Sequence, residues 1–197
     1  MKRNKEENLR RHAKGFTLIE LLIVIAILAV LSVVVILTLN PAELLRQARD
    51  STRVSDMATY KSAIALYMAD VTALSIGSNT YCYMHASSTG PVCTTDGRFA
   101  AGTATTSASQ SVSTGSGWIP INFGSISSGA PISVEPVDPT NNSTYYYAYR
   151  PGSGGTTYKI TVNMESTKYK QGGSNDVEST DGGISASIYE VGTDLAL

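Results

Sequence analysis

The chain has 197 residues and a formal net charge of −1, with 42% hydrophobic and 16% charged residues. This length allows one compact domain besides a long hydrophobic segment, but not two. Beyond residue 15 the chain is mildly acidic, which excludes the basic surface expected of a nucleic-acid-binding protein. The sequence has no nucleophile elbow, phosphate-binding glycine loop or His-Glu-x-x-His helix, so we predict that it is not an enzyme.

The first 15 residues form a polar, basic leader. They hold six of the 15 Lys and Arg residues, whereas only Arg46, Arg49 and Arg53 follow closely after the hydrophobic segment. Basic residues stay on the cytoplasmic side of a membrane, so this bias predicts a cytoplasmic N-terminus and an extracytoplasmic domain. An ordinary secretory signal is cleaved after its apolar region, but the small residue here, Gly15, precedes that region.

The hydrophobic segment, residues 16–39, carries a single charge, Glu20. As a helix it is about 36 Å long, enough to cross a hydrocarbon core of about 30 Å with some tilt. A carboxylate at mid-membrane costs about 2.5 to 3.5 kcal/mol, which favours a functional role with a partner. The alternative is that Glu20, about one turn from the helix end, only reaches the lipid headgroups.

The sequence KGFTLIE at residues 14–20 runs into this apolar segment and resembles the processing site of type IV pilins and type II secretion pseudopilins. The resemblance implies that a prepilin peptidase cuts between Gly15 and Phe16 and methylates the new N-terminus at Phe16. Glu20 matches the carboxylate that the family carries five residues into the mature chain. The implied protein is a structural filament subunit.

The resemblance also implies partners and a location. The partners are further copies in a filament, other pilins or pseudopilins, the peptidase, an inner-membrane assembly platform and the lipid membrane. The precursor would cross the bacterial inner membrane once and then enter a pilus or pseudopilus. In the filament we expect Glu20 to pair with the Phe16 amine of its own or a neighbouring subunit. The alternative from another class is a bitopic binding or sensory protein that keeps residues 1–15 on an uncleaved anchor.

The residues after the hydrophobic segment predict a helix break and then an amphipathic helix in the region 40–76. Pro41 lacks a backbone donor and suits the first turn of a helix, and Asn40 is a good N-cap. Apolar residues then recur at spacings of three and four, which predicts a helix from about residue 42 to 75. This apolar stripe consists of Met57, Tyr60, Ile64, Tyr67, Val71 and Leu74.

Residues 77–130 are rich in Gly, Ser and Thr, and we expect a loop region, with residues 100–117 exposed and weakly structured. Cys82 and Cys93 are the two cysteines of the chain. In an exported domain they favour a disulfide, which stabilises by about 3 kcal/mol in the chain-entropy model. The alternatives are free thiols or a metal site that includes His85, although a fourth ligand is missing.

Strand patterns cluster in residues 131–197. They cover residues 145–149, 158–164 and 184–188, where apolar and polar residues alternate or aromatic residues accumulate. We predict three or four antiparallel strands covering the amphipathic helix. The expected fold is therefore α+β, with a long N-terminal helix packed on a small antiparallel C-terminal sheet, which is the pilin fold that the resemblance implies.

Residues 138–142 are followed by tyrosines and resemble the Asp-Pro-x-x-Asn-x-Tyr turn of the major pseudopilins. That subfamily binds calcium in a loop between its late strands. The resemblance thus implies a Ca2+ site in residues 174–183, with Asp176 and Asp181 as candidate ligands. The alternative is an acidic turn that is merely solvated, with no cofactor. The turn at Asp138 favours a periplasmic secretion pseudopilus, whereas the Ser/Thr-rich loop favours a surface pilus for adhesion, motility or DNA uptake.

Overall fold

A computed structural model describes residues 15–85, 93–94 and 97–197. Most of the predicted leader, residues 1–14, lies outside the described residues. The chain divides into two units, Met1–Pro41 and Ala42–Leu197. The described part of the first unit contains one helix, and the second unit is an α+β domain with a mixed five-stranded sheet.

The helix of the first unit, α1, spans Leu18–Leu39. It is apolar around its whole circumference, and every side chain that the structure describes in it is exposed. The helix ends at Asn40, whose backbone is left-handed with φ 39°. Asn40 therefore caps the C-terminal end of α1. The helix ends two residues before Pro41, the residue at which the sequence predicts a helix break.

The second helix, α2, spans Pro41–Asp70. Its buried side includes four members of the predicted stripe, Met57, Tyr60, Ile64 and Tyr67. The helix stops five residues before the predicted end at residue 75. The chain turns there because the Tyr67 hydroxyl accepts a hydrogen bond from the Ser75 N–H at 3.0 Å. The last two stripe residues, Val71 and Leu74, pack on the core from outside the helix.

The sheet has five strands in the order β2-β1-β3-β4-β5. The strands are β1 Tyr81–His85, β2 Thr103–Ser107, β3 Ala148–Pro151, β4 Tyr158–Val162 and β5 Tyr189–Gly192. The pairs β1–β3, β3–β4 and β4–β5 are antiparallel, whereas β1 and β2 are parallel.

Three strand predictions therefore need correction. The sheet is mixed rather than antiparallel, because a crossover returns the chain to the same end of the sheet before β2. Two strands come from the expected loop region 77–130, and β2 lies within the segment predicted to be weakly structured. The predicted strand 184–188 is a turn segment with Ile184 59% exposed, and β5 begins only at Tyr189.

Both faces of the sheet are covered. On one face, α2 and residues 118–126 form the main core with apolar side chains of β3, β4 and β5. On the other face, Cys93 and Phe99 of the crossover pack with Cys82, Met84 and Ala148. This double coverage explains why all five residues of β4 are buried.

Candidate functional site

The predicted cleavage position lies in open surroundings. A side chain built at Gly15 would meet no atom within 4 Å, and Phe16 is 91% exposed. The peptide bond between them precedes the first helical residue, Leu18. The main chain here is therefore accessible and not held in a helix, as a protease substrate requires.

A capping box follows directly. The Thr17 backbone is extended, and its hydroxyl accepts a hydrogen bond from the Glu20 N–H at 3.2 Å. In return, Glu20 Oε2 accepts from the Thr17 N–H and from the Thr17 hydroxyl, each at 2.8 Å. The reciprocal bonds satisfy two donors at the helix start, and the carboxylate lies at the positive end of the helix dipole. The sequence predicted a special role for Glu20 but missed its local partner, although the Thr-x-x-Glu pattern of a capping box was visible.

The rest of α1 offers no further charge. Residues Leu18–Ile36 have a mean hydropathy of 3.2 and are long and apolar enough to cross a membrane. Among the described residues, this is the one helix with that length and composition. The hydroxyls of Ser32 and Thr38 donate to the carbonyls of Leu28 and Val34 at 2.7 and 3.0 Å. These polar groups are thus satisfied within the helix, as lipid requires.

Gly15 and Phe16 lie directly before α1, and Glu20 lies in its first turn. An accessible Gly-Phe bond precedes a helix cap, and the carboxylate of that cap lies one turn into an apolar helix. Residues 10–36 match the family model described as the prokaryotic N-terminal methylation motif, and this motif is the signature of type IV pilins and pseudopilins. It implies processing by prepilin peptidase and points to a structural filament subunit. Comparisons with curated proteins and with solved structures gave no significant match.

The two cysteines are joined. Cys82 in β1 and Cys93 form a disulfide with their Cα atoms 6.0 Å apart. The bond ties the first strand to the crossover that covers the second face of the sheet. His85 lies beside the Asn141 side chain, and its Nδ1 atom is 3.0 Å from the Asn141 Nδ2 atom.

The two candidate calcium ligands, Asp176 and Asp181, accept hydrogen bonds from backbone N–H groups of the loops in which they lie. Asp176 accepts hydrogen bonds from the N–H groups of Gly172 and Ser179 at 2.8 and 2.9 Å. Asp181 accepts from the N–H groups of Gly183 and Glu190 at 2.8 and 2.5 Å. Within residues 15–85, 93–94 and 97–197, no group of three or more His, Cys, Asp or Glu side chains is arranged to hold a metal ion. Calcium binding stays a prediction.

The domain contains an ionic cluster that was not predicted from the sequence and consists of Arg49, Asp50, Arg53, Asp138 and Glu165. Arg53 is completely buried and lies within 2.8 Å of Asp50, 2.7 Å of Asp138 and 2.6 Å of Glu165. Arg49, at the rim, donates to Glu165 Oε1 at 2.9 Å. The signal was present in the sequence, because Asp50 and Arg53 continue the apolar stripe of α2 at the same spacing toward its N-terminus.

Burial and charge act in opposite directions on Glu165. Burial raises the pKa of its carboxyl, but hydrogen bonds from Arg49, Thr140 and Arg53 outweigh burial and lower the pKa to about 2. The Glu165 carboxylate thus stays ionised beside the two arginines. The cluster fixes Asp138, in the turn that resembles the pseudopilin motif, to the buried side of α2.

Another buried carboxyl, Glu135, forms no ion pair with a described residue. It accepts a hydrogen bond from the Ile119 N–H at 3.1 Å, while its Oε1 has no partner among the described atoms. Burial raises its pKa to about 8, and the N–H groups of Ile119 and Trp118 only partly oppose this. A side chain at Gly117 would collide with the carboxyl, so the close approach of the backbone requires glycine there.

Proposed function

We propose that the chain is a prepilin that is cut after Gly15, methylated at Phe16 and assembled into a helical filament. The observation that carries the proposal is the methylation motif at residues 10–36, placed at the start of a helix whose described side chains are all exposed and are apolar apart from one carboxylate and two hydroxyls. Stacking such helices exchanges lipid contacts for helix contacts, so the specificity must come from packing and from Glu20. A helical array of this kind is open-ended, as a filament requires.

Mass spectrometry of the protein from its native membrane tests the processing step. We expect a chain that begins at Phe16 and carries one added methyl group. A strain without the peptidase should retain residues 1–15, and so should a Gly15→Leu variant in the normal strain. If the normal strain also retains the leader, the chain is an anchored binding or sensory protein, and the filament proposal fails.

The role of Glu20 is tested separately. In the filament we propose that its carboxylate leaves the capping box and pairs with the Phe16 amine, which neutralises two charges in an apolar bundle. Glu20→Ala should then insert into the membrane normally and fail to assemble. Thr17→Ala provides a matched control: it removes the two hydrogen bonds between the Thr17 hydroxyl and Glu20 but keeps the backbone N–H contact and the carboxylate, so it should weaken assembly less.

Within this class, the Asp138 turn favours a periplasmic secretion pseudopilus that works with an inner-membrane assembly platform. Its Oδ1 accepts from the N–H groups of Thr140 and Asn141 at 2.8 and 3.1 Å, which makes the turn a fixed element of the domain. The opposing argument for a surface pilus is weaker, because part of the Ser/Thr-rich segment forms β2. Imaging of cells that express the protein at its natural level separates the two: short periplasmic filaments support the pseudopilus, and long surface filaments contradict it.

A further inference from the structure

The strand β2 forms one edge of the sheet, because β1 lies beside it on one side only. The Thr103 N–H donates to the carbonyl of Thr80, the residue before β1, at 2.9 Å. Main-chain groups alternate in direction along a strand, so Thr105 also faces β1, whereas Ala104 and Thr106 face away from it. Both outward-facing residues are exposed.

The outward main-chain groups of β2 are unpaired. Within residues 15–85, 93–94 and 97–197, no residue donates to or accepts from the N–H or carbonyl groups of Ala104 and Thr106. Charged residues and proline commonly protect an edge strand from pairing with another chain. The strand β2 has neither, and residues 99–134 around it contain no Asp, Glu, Lys or Arg. This edge therefore presents donors and acceptors at the spacing that matches another strand.

The opposite edge of the sheet, at β5, is closed. The Glu190 N–H donates to Asp181 Oδ2 at 2.5 Å, and the same carboxylate accepts from the Gly183 N–H at 2.8 Å. The loop that carries Asp181 thus lies where a further strand would pair with β5. The β2 edge is therefore the edge at which the sheet can be extended.

The β2 edge is complementary to a second copy of itself. In an antiparallel pair centred on Thr105, Ala104 of each copy lies opposite Thr106 of the other. Each of these opposed pairs exchanges both of its hydrogen bonds, so all outward groups of the two residues are satisfied in both copies. The two edges are uncharged, and their approach brings no like charges together.

We infer that the β2 edge is a docking site for the β2 edge of a second copy of this chain, paired antiparallel about Thr105. The inference goes beyond the proposed function, because the contact needs only the α+β domain. A two-fold contact of this kind closes on itself, whereas a filament grows by an open-ended contact. Within the proposed filament, β2 pairing would therefore join subunits of neighbouring filaments side by side.

A single β2 contact is weak. Pairing over five residues buries far less than the about 1,200 Å² of a specific stable interface, so two free subunits associate only briefly. Two aligned filaments repeat the contact along their length, and each contact raises the effective concentration for the next one. Lateral association should thus be strong between filaments although it is weak between single subunits.

Cysteine trapping tests the pairing and its register. Both native cysteines are already joined, so an introduced cysteine reports a new contact. The two Thr105 residues of the antiparallel pair lie directly opposite each other, with their Cα atoms about 4.5 Å apart and within reach of a disulfide. Thr103 of one copy lies opposite Ser107 of the other, so the two Thr103 residues are about 14 Å apart along the strand.

The two positions give a matched comparison. Under mild oxidation of the full chain in membrane vesicles, Thr105→Cys should form at least about tenfold more disulfide dimer than Thr103→Cys. Thr103 is exposed and Thr105 is half-buried, so accessibility alone would favour the opposite result. A mixture of Thr103→Cys and Ser107→Cys chains should form the mixed dimer, which confirms the register.

A second pair of variants tests the main-chain hydrogen bonds. Thr106→Pro deletes an outward N–H and leaves the bonds of β2 to β1 in place, as proline allows on an edge strand. Thr106→Ala keeps the N–H. Added to Thr105→Cys, the proline should lower the dimer at least about tenfold, and the alanine should change it by less than about twofold. Equal melting temperatures in detergent confirm that both variants fold. If the proline variant does not fold, Ala104→Lys replaces it, because the charge opposes edge pairing.

Three results would overturn the inference. The first is a Thr105→Cys dimer that is absent or no more abundant than that of Thr103→Cys. The second is a Thr105→Cys disulfide to a different protein instead of a second copy, which would show that another extended chain occupies the edge. The third is equal dimer in the Thr106→Pro and Thr106→Ala variants. If the unchanged protein keeps its leader and forms no filaments, the proposed function fails, but the Thr105→Cys dimer still decides whether β2 pairs.

Discussion

Arg53 and Asp138 form a two-bond ion pair across 85 residues of sequence. Arg53 Nε donates to Asp138 Oδ2 at 2.7 Å, and Nη2 donates to Oδ1 at 2.8 Å. Both side chains are completely enclosed. The planar guanidinium matches the carboxylate, so the pair orients the turn at Asp138 as well as holding it.

Removal of the arginine should destabilise the domain strongly. Arg53→Met leaves three carboxylates buried with Arg49 as their nearest cation, and we expect a loss of about 3 to 5 kcal/mol in the free energy of unfolding. Arg53→Lys keeps the positive charge but loses the planar guanidinium that makes two hydrogen bonds to Asp138, so its loss of stability should be smaller. The measurement is denaturant unfolding of the full chain in detergent micelles. An Arg53→Met protein as stable as the unchanged one would show that the cluster does not stabilise the fold.

The cluster should also set the response to acid. The pKa of Glu165 is lowered in the folded state, so its stabilising contribution is complete above the ordinary value of 4.5 and is lost as the pH falls toward about 2. We expect the melting temperature to fall in this range, and to fall less steeply in Glu165→Gln. The variant should already be less stable at neutral pH. If the melting temperature of Glu165→Gln falls with pH as steeply as that of the unchanged protein, other carboxyls cause the acid sensitivity.

For Glu135 we expect the opposite dependence of stability on pH. Its folded pKa is raised to about 8 from the ordinary value of 4.5, so the folded state holds the proton longer than the unfolded state does. Stability should therefore decline as the pH rises from 4.5 to 8 and change little from this group beyond that range. Glu135→Gln keeps the shape of the neutral group and should remove the decline. The check is a comparison of melting temperatures of the two proteins at pH 5 and pH 8.

Calcium is tested by its effect on thermal stability. If Asp176 and Asp181 are ligands, excess calcium should raise the melting temperature of the unchanged protein, because a ligand stabilises the state that binds it. Asp176→Asn and Asp181→Asn should each reduce that rise. Magnesium serves as the control cation. If millimolar calcium does not shift the melting temperature, Asp176 and Asp181 are not calcium ligands and only stabilise the turns in which they lie.

The first helix and the methylation motif could be predicted from sequence, because both depend on residues that are adjacent in the chain. The β4 strand was also found, since Tyr158, Ile160 and Val162 alternate with polar residues. By contrast, β2 was missed because its sequence, TATTS, has neither large apolar residues nor a clear alternation. Its pairing depends on β1, about 20 residues earlier, and on the crossover that brings the two strands side by side.

Buried polar residues were the other limit of prediction. Lys159 is one of the polar residues of the alternating pattern in β4, yet it is fully buried and its Nζ lies 2.8 Å from Glu190 Oε1. Arg98, in the expected loop, lies 3.8 Å above the Tyr146 ring and donates to the Tyr146 carbonyl. A sheet covered on one face would leave such residues in water. The second cover, formed by the crossover, could not be inferred from composition.

The uniform apolar surface of α1 restricts where a subunit can exist. A single copy in bulk water would expose some 22 residues of hydrocarbon surface, so a subunit of the proposed filament would occupy either the lipid or the filament. The subunits that supply growth of such a filament would therefore be confined to the plane of the membrane. Growth should depend on the number of subunits per area of membrane and on their lateral diffusion. A cell could thus control filament length through membrane insertion alone, without changing any soluble concentration.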